Sequence, residues 1–293
     1  MGFVLKSPFT VAGLQQCAGK SAISVGIQFN VTFDSSWASA PAALQEGFTQ
    51  ALANFSANLF VPVTINLAVG HGFVGTTGQS VQAGASAQTI STQPSSTPTY
   101  AQLRDALINN AKTPEAINAL TFAFPSSDPT GAFVWNITQA HCKALGLNAL
   151  VSSTVLDINT GFQSGETWFV GTPNGGLDAV GTVMHEVSEG LGRQMAVAPT
   201  QPDIWWTLNR FRYASAGVVS TANGSTASYF SIDNGTTNLG NFNTHGGDPF
   251  DWDAGTVDSS TDCCNAFASS NAVEPFTATD YALMDMIGYS AAP

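Results

Sequence analysis

The sequence predicts an α/β (α+β) fold, a mixed sheet served by one prominent helix and followed by an irregular C-terminal part. Three observations predict it. Two short stretches of alternating apolar residues flank a helical one, residues 177–193 carry a clean helical stripe, and the last third is aromatic, acidic and rich in turns. With 293 residues, 44% hydrophobic and 10% charged, the chain has ample material for a core. It reads as one domain over 1–293, with an N-terminal part (1–194) ending in the prominent helix and a C-terminal part (195–293).

The first element is a strand, because Ile23, Val25, Ile27, Phe29, Val31 and Phe33 alternate with smaller or polar residues. A helix then opens near Pro41, with Leu44, Phe48, Ala51, Leu52 and Phe55 on one face. Val63, Ile65, Leu67 and Val69 alternate again, so strand, helix and strand form a right-handed parallel crossover. His71, between two glycines just past that strand, reads as a loop residue rather than a ligand. Residues 75–99 are rich in Ser, Thr, Gln and Gly and predict a surface loop or hairpin. Stretches 100–111 and 137–145 are helical, and Trp168, Phe169 and Val170 form a strand beside the next helix. In the last third, Trp205, Trp206, Phe211, Tyr213, Tyr229 and Phe230 read mainly as core.

Residues 177–193 carry the chemistry. Val180, Met184, Val187 and Leu191 share one stripe, while His185, Glu186 and Glu189 lie opposite. His185 and Glu189, one turn apart, can reach a single cation, and Glu186 points at the same space, where a general base stands. A solvated surface face is the plainer alternative. The whole chain has only four His and twenty Asp plus Glu, however, and three of them cluster here on a face without Lys, so a metal site is the better reading. Gly190 and Gly192, poor helix formers, indicate a close backbone approach at the helix end.

Charge and cysteines bound the rest. A net charge of −12 and a pI near 4.4 argue against nucleic acid and anionic membranes as partners. No apolar run reaches the roughly 18 residues that would span a bilayer. Low Lys with abundant Ser, Thr, Asn and Gly suits a secreted bacterial protein, and Met1-Gly2 begins without the basic and apolar regions of a signal peptide. Cys17, Cys142, Cys263 and Cys264 are even in number and allow two long-range bridges, since adjacent cysteines rarely pair with each other. No CxxC pair supports a zinc ribbon, and Cys142 beside His141 does not read as a nucleophile. Asp248, Asp251, Asp253, Asp258 and Asp262 form an acidic loop that admits calcium but lacks the glycine of an EF-hand loop. His245 is the only downstream histidine and a rival for a third ligand. Met284 and Met286 fit either a methionine turn or a buried helix.

The motif HEVSEGLGR is followed by LNRFRY (208–213), YFSID (229–233), NFNT (241–244), Asp251-Trp252 and DYALMDMIGY (280–289). In order and spacing these resemble secreted bacterial metallopeptidases of the zincin type, similar to metzincins and leishmanolysin-like peptidases. The resemblance implies a zincin-like metallopeptidase domain with Gly192 at the glycine of the motif. It also places the third ligand directly before the Trp, at Asp251, in preference to His245. Glu189 and Asp251 both depart from the family pattern, which has His at these positions. The implied metal set is therefore His185, Glu189 and Asp251, with Glu186 as general base and the 168–170 strand lining a substrate cleft. Zinc is the expected ion, made less acidifying by two carboxylates, while calcium or another hard divalent cation also suits oxygen donors. The expected function is that of a monomeric, secreted, metal-dependent hydrolase, foremost an endopeptidase, acting on a peptide or ester substrate. In it Glu186 takes a proton from the attacking water and delivers it to the leaving amine. The alternatives are an esterase or lactonase on the same site, or a degenerate zincin that binds a protein or glycan without catalysis.

Overall fold

The structure, a computed structural model, describes residues 26–132, 134–152, 155–196, 204–222, 224–254 and 261–291. It is a mixed α+β chain with several small sheets. The alternating N-terminal stretch forms β1 (Gln28–Phe33); Ile23 and Val25, at its expected start, lie outside the described residues. Helix α1 (Ala42–Asn58) begins after Pro41, whose fixed φ and missing N–H suit that position, and buries Leu44, Phe48, Ala51 and Phe55. It leads to β2 (Thr64–His71), which pairs with β1 in parallel, from Gln28 opposite Thr64 to Phe33 opposite Val69.

The segment expected as a plain loop or hairpin contains β3 (Ala87–Ser91). Its few apolar residues hid it, because only Ala87 and Ile90 break a polar run. Beyond it come α2 (Tyr100–Asn110), closed by a Thr99–Gln102 capping box, and α3 (Pro114–Ala123), which opens on Thr113 and Pro114. Short β4 (Val134–Asn136) and α4 (Gln139–Ala144) follow, then β5 (Ile158–Phe162). The main sheet has the order β1-β2-β5-β3, with β5 parallel to β2 and β3 antiparallel on the outer edge.

The strand expected at 168–170 forms over Trp168–Phe169 as β6, which pairs in parallel with β7 (Leu177–Asp178) and has both side chains buried. Strand β7 runs directly into α5 (Ala179–Leu191), the motif helix, which Asp178 caps by accepting from Val180 N–H. Helix α5 packs on α1 and β3. The C-terminal part supplies β8 (Ile204–Trp206, parallel to β4), a small sheet of β9 (Arg212–Ser215), β10 (Val218–Val219), β11 (Tyr229–Phe230) and β12 (Gly240–Asn241), and α6 (Ala278–Met286). One hydrophobic cluster draws on both parts: Leu44 and Phe55 of α1, Val183, Val187 and Leu191 of α5, and Phe211, Trp252, Leu283 and Tyr289. Met284 and Met286 are buried on α6. Among the described residues no helix is long and apolar enough to cross a membrane.

The end of α5 explains its two glycines. A Cβ on Gly190 would lie 2.6 Å from the Ile158 side chain of β5, so β5 and α5 approach as closely as they do only with glycine there. Gly192 adopts φ 120°, a left-handed conformation costly for other residues, with the His141 ring 2.9 Å from where a Cβ would sit. Its N–H bonds Glu189 O, and Arg193 N–H bonds Ser188 O, which folds the chain back so that the Arg193 side chain returns toward the helix.

Candidate metal centre

Helix α5 is amphipathic in sequence but buried almost all round, with only Val180 and His185 partly exposed along it. Its polar face is covered by the C-terminal part rather than by water. The structure brings the metal-site residues named from the sequence together there. One donor atom each from His185, Glu189 and Asp251 falls within 4.8 Å of the others. His185 Nε2 is 3.1 Å from Glu189 Oε1 and 3.7 Å from Asp251 Oδ1. On the other side of the ring, Nδ1 donates to the Cys263 carbonyl at 2.8 Å. A carbonyl only accepts, so Nδ1 carries the proton, and Nε2 is the nitrogen turned toward the carboxylates. His245, the rival, is largely exposed, with its Nε2 3.8 Å from Asp253, and lies outside this cluster.

Arg193 is the residue that sequence reasoning left without a role. Fully buried, it places Nη1 2.6 Å from Asp251 Oδ1, Nη2 3.5 Å from Glu189 Oε1, and donates from Nε to Ser188 Oγ at 2.9 Å. The signal was its spacing, four residues after Glu189 and eight after His185, in a chain with only eight Lys plus Arg. The strand beside the helix was also missed: Thr89 of β3 donates to the Glu186 carbonyl at 3.0 Å.

The electrostatics follow from burial. Glu186 is buried and among the described residues its Oε2 has no hydrogen-bond partner. Burial first, then the charge of Glu189, push its carboxyl up to about 8. For His185 burial opposes the charged form, but Asp251 and the hydrogen bond and charge of Glu189 outweigh it and raise the ring to about 10. Asp251 is pushed up by burial against the pull of His185 and Arg193. Burial works against the charge of Arg193, but Asp251 and Glu189 outweigh it and hold the guanidinium well above its usual range.

A second buried group, Asp262, Cys263, Cys264 and Asp280, is equally tight. Its carboxylates are already satisfied: Asp262 accepts from Cys264 N–H and Thr277 Oγ1, and Asp280 from Trp252 Nε1 and Thr277 N–H, each at 2.7 Å. Burial and the Asp280 charge push Asp262 up to about 8, and the hydrogen bonds around the two acids make the group a structural knot. Of the acidic loop, Asp251 therefore belongs to the first cluster and Asp262 to this one, while Asp258 lies outside the described residues. The two expected long-range bridges are not borne out among the described cysteines. Cys142, Cys263 and Cys264 are free and buried, and Cys17 lies outside the described residues.

A cavity of about 420 Å³ elsewhere, lined by Phe276, Tyr281 and Asp285 among others, includes none of the cluster's residues. Compared with family models, curated proteins and solved structures, the chain matches none.

Proposed function

We propose that the chain is a secreted, zincin-like metal-dependent hydrolase, foremost an endopeptidase, in which His185, Glu189 and Asp251 hold one divalent cation and Glu186 is the general base. One observation carries the reading. His185 Nε2 faces two buried carboxylates, three donors of the kind that hold a divalent cation, and Nδ1 is anchored on the Cys263 carbonyl, which turns Nε2 toward them. In the metal-free site Glu189 and Asp251 are met by Arg193 and a protonated His185; a divalent cation would displace the Nε2 proton and take its place between the carboxylates. When bound, that ion supplies Lewis acidity to a carbonyl oxygen and acidity to a water; zinc is the expected ion, and calcium or another hard divalent cation suits the two oxygen ligands.

The chain's own residues supply the rest. Glu186 Oε2, unpartnered and made basic by burial, accepts the proton of the attacking water and returns it to the leaving nitrogen. The outer edge of β3 supports an extended peptide as substrate. Ser86 O accepts from Gln163 N–H and Asp157 O from Thr92 N–H, so by alternation Gln88 and Ile90 turn their backbone groups to β5, while Ala87, Thr89 and Ser91 turn theirs outward. Among the described residues no strand pairs with that edge, and Thr89 ties it to Glu186. The same site serves an ester or lactone, whose better leaving group asks less of a Lewis acid bound by two carboxylates.

A second reading, a non-catalytic surface binder, is favoured by one contact. Arg193 already sits 2.6 Å from Asp251 as an internal counter-ion. Turnover of casein and of an activated ester by Glu186→Gln decides between them. The amide keeps the volume, so the ion should stay and turnover should fall on the order of 10²–10⁴-fold. Unchanged turnover removes Glu186 as base, and an ion-loaded wild type inert on both substrates favours the binder.

A further inference from the structure

We infer that Cys263 and Cys264 are the site of a vicinal disulfide whose formation releases His185 from its anchor. The two sulfurs lie 3.8 Å apart in the dithiol state, each the other's neighbour in a buried pocket. The carbonyl that accepts from His185 Nδ1 at 2.8 Å belongs to Cys263. It therefore sits on the peptide bond that joins the two cysteines. Closing the bridge makes a ring of both Cα–Cβ–Sγ arms and that same peptide unit, so the ring cannot form without turning the group that holds the histidine.

The size of the turn follows from geometry. Consecutive Cα atoms are about 3.8 Å apart, below the roughly 4.4–6.8 Å of ordinary disulfides, and the sulfurs must close to about 2.05 Å. The strain falls on the intervening peptide, whose own N–H and the carbonyl of the next peptide are both tied. Cys264 N–H donates to Asp262 Oδ1 at 2.7 Å, and Cys264 O accepts from Trp252 N–H at 2.9 Å. Of these ties the bond to His185 is the one that reaches the metal ligands. A strained bridge is also readily reduced, which makes the step reversible.

The chemistry balances with a small-molecule disulfide as oxidant, a class that a secreted chain meets. One cysteine thiolate attacks the external disulfide, forming a mixed disulfide and expelling one small thiolate. The second cysteine thiolate attacks the protein sulfur of that intermediate and expels the other small thiolate. Two electrons and two protons leave the cysteines, and one external disulfide becomes two thiols. Burial pushes the Cys263 thiol up to about 12, so exchange in the folded protein is slow and calls for long incubation or for closure during folding.

The test uses full-length protein carrying Cys17→Ser and Cys142→Ala, which leaves only this pair. It is incubated folded with oxidised glutathione at mildly alkaline pH, and separately refolded in it. Loss of both alkylatable thiols, with a mass lower by two hydrogens, is the expected result in at least one arm. Two free thiols in both arms, or stable glutathione adducts, overturns the bridge. Nitrogen NMR of the metal-free protein reads the histidine directly: the His185 Nδ1 proton signal should shift on oxidation and return with reductant. An unchanged signal in the bridged protein overturns the coupling.

The consequence for metal rests on the proposed function. Zinc should bind the bridged form about 10–100-fold more weakly, as for loss of an outer-shell partner. Equal affinity in the two forms also overturns the coupling, whereas zinc that binds neither form contradicts the proposed function and leaves the bridge and the NMR result standing.

Discussion

Arg193→Met tests how the buried charges are balanced. The substitution keeps most of the side-chain length and removes the guanidinium that lies 2.6 Å from Asp251 and 3.5 Å from Glu189, with no exposure to solvent. Asp251 and Glu189 then lose one of two buried counter-charges, His185 being the other. Removing one partner of such a pair costs about 3–5 kcal/mol, far above the 0–1 kcal/mol of a surface bridge. At roughly 2 °C per kcal/mol for a chain of this size, the melting temperature in chelator should fall on the order of 6–10 °C. A divalent ion supplies the missing charge, so saturating zinc or calcium should stabilise the variant more than the wild type. Arg193→Lys, which keeps the charge but not the planar fork, should fall between the two. The assay is thermal denaturation of each protein with excess ion and with chelator. A variant as stable as wild type in chelator refutes the ion-pair argument, and equal stabilisation of both proteins by the ion refutes the compensation.

Two further substitutions probe the frame of the site. Gly192→Ala should destabilise by more than about 1 kcal/mol, because the position needs φ 120° and a Cβ would press on the His141 ring; denaturation indistinguishable from wild type contradicts that. His141 is neutral and fully buried, with Nε2 donating to the Ile287 carbonyl at 2.6 Å, and burial lowers it to about 4. Its folded value lies below the unfolded 6.5, so its contribution is complete above pH 6.5 and is lost as pH falls toward 4, about 3 kcal/mol in all. Wild type minus His141→Gln stability, measured from pH 7.5 to 4, should narrow by that amount, and a constant difference removes the assignment. Taking the difference cancels Glu274 and Asp262, whose raised values work in the opposite direction.

Periodic segments were legible and aperiodic ones were not. The β1–α1–β2 unit follows from alternation around a helical stripe, and α5 from Val180, Met184, Val187 and Leu191. Strand β3 was hidden because an edge strand whose residues are all only partly buried needs few apolar residues. Helix α3 was not anticipated, because it has no stripe long enough to stand out. At the site, His185 and Glu189 could be paired from spacing because a helix fixes their geometry. Asp251 came only through a neighbouring Trp, since loop separation carries no distance. A solvated polar face on α5 stayed open as the plainer alternative because the sequence does not say what will cover it. Nothing local announces that the carbonyl of Cys263, a backbone atom, holds the histidine.

The account stands on a divalent cation held by His185, Glu189 and Asp251. Its most direct test is elemental analysis, with titration of zinc, calcium and manganese into the metal-stripped protein, on wild type, His185→Ala, Asp251→Ala and His245→Ala. One ion per chain in wild type and in His245→Ala, lost in the other two, is the predicted result. A wild type that takes up none of the three metals, or an Asp251→Ala protein that binds as well as wild type, would contradict it.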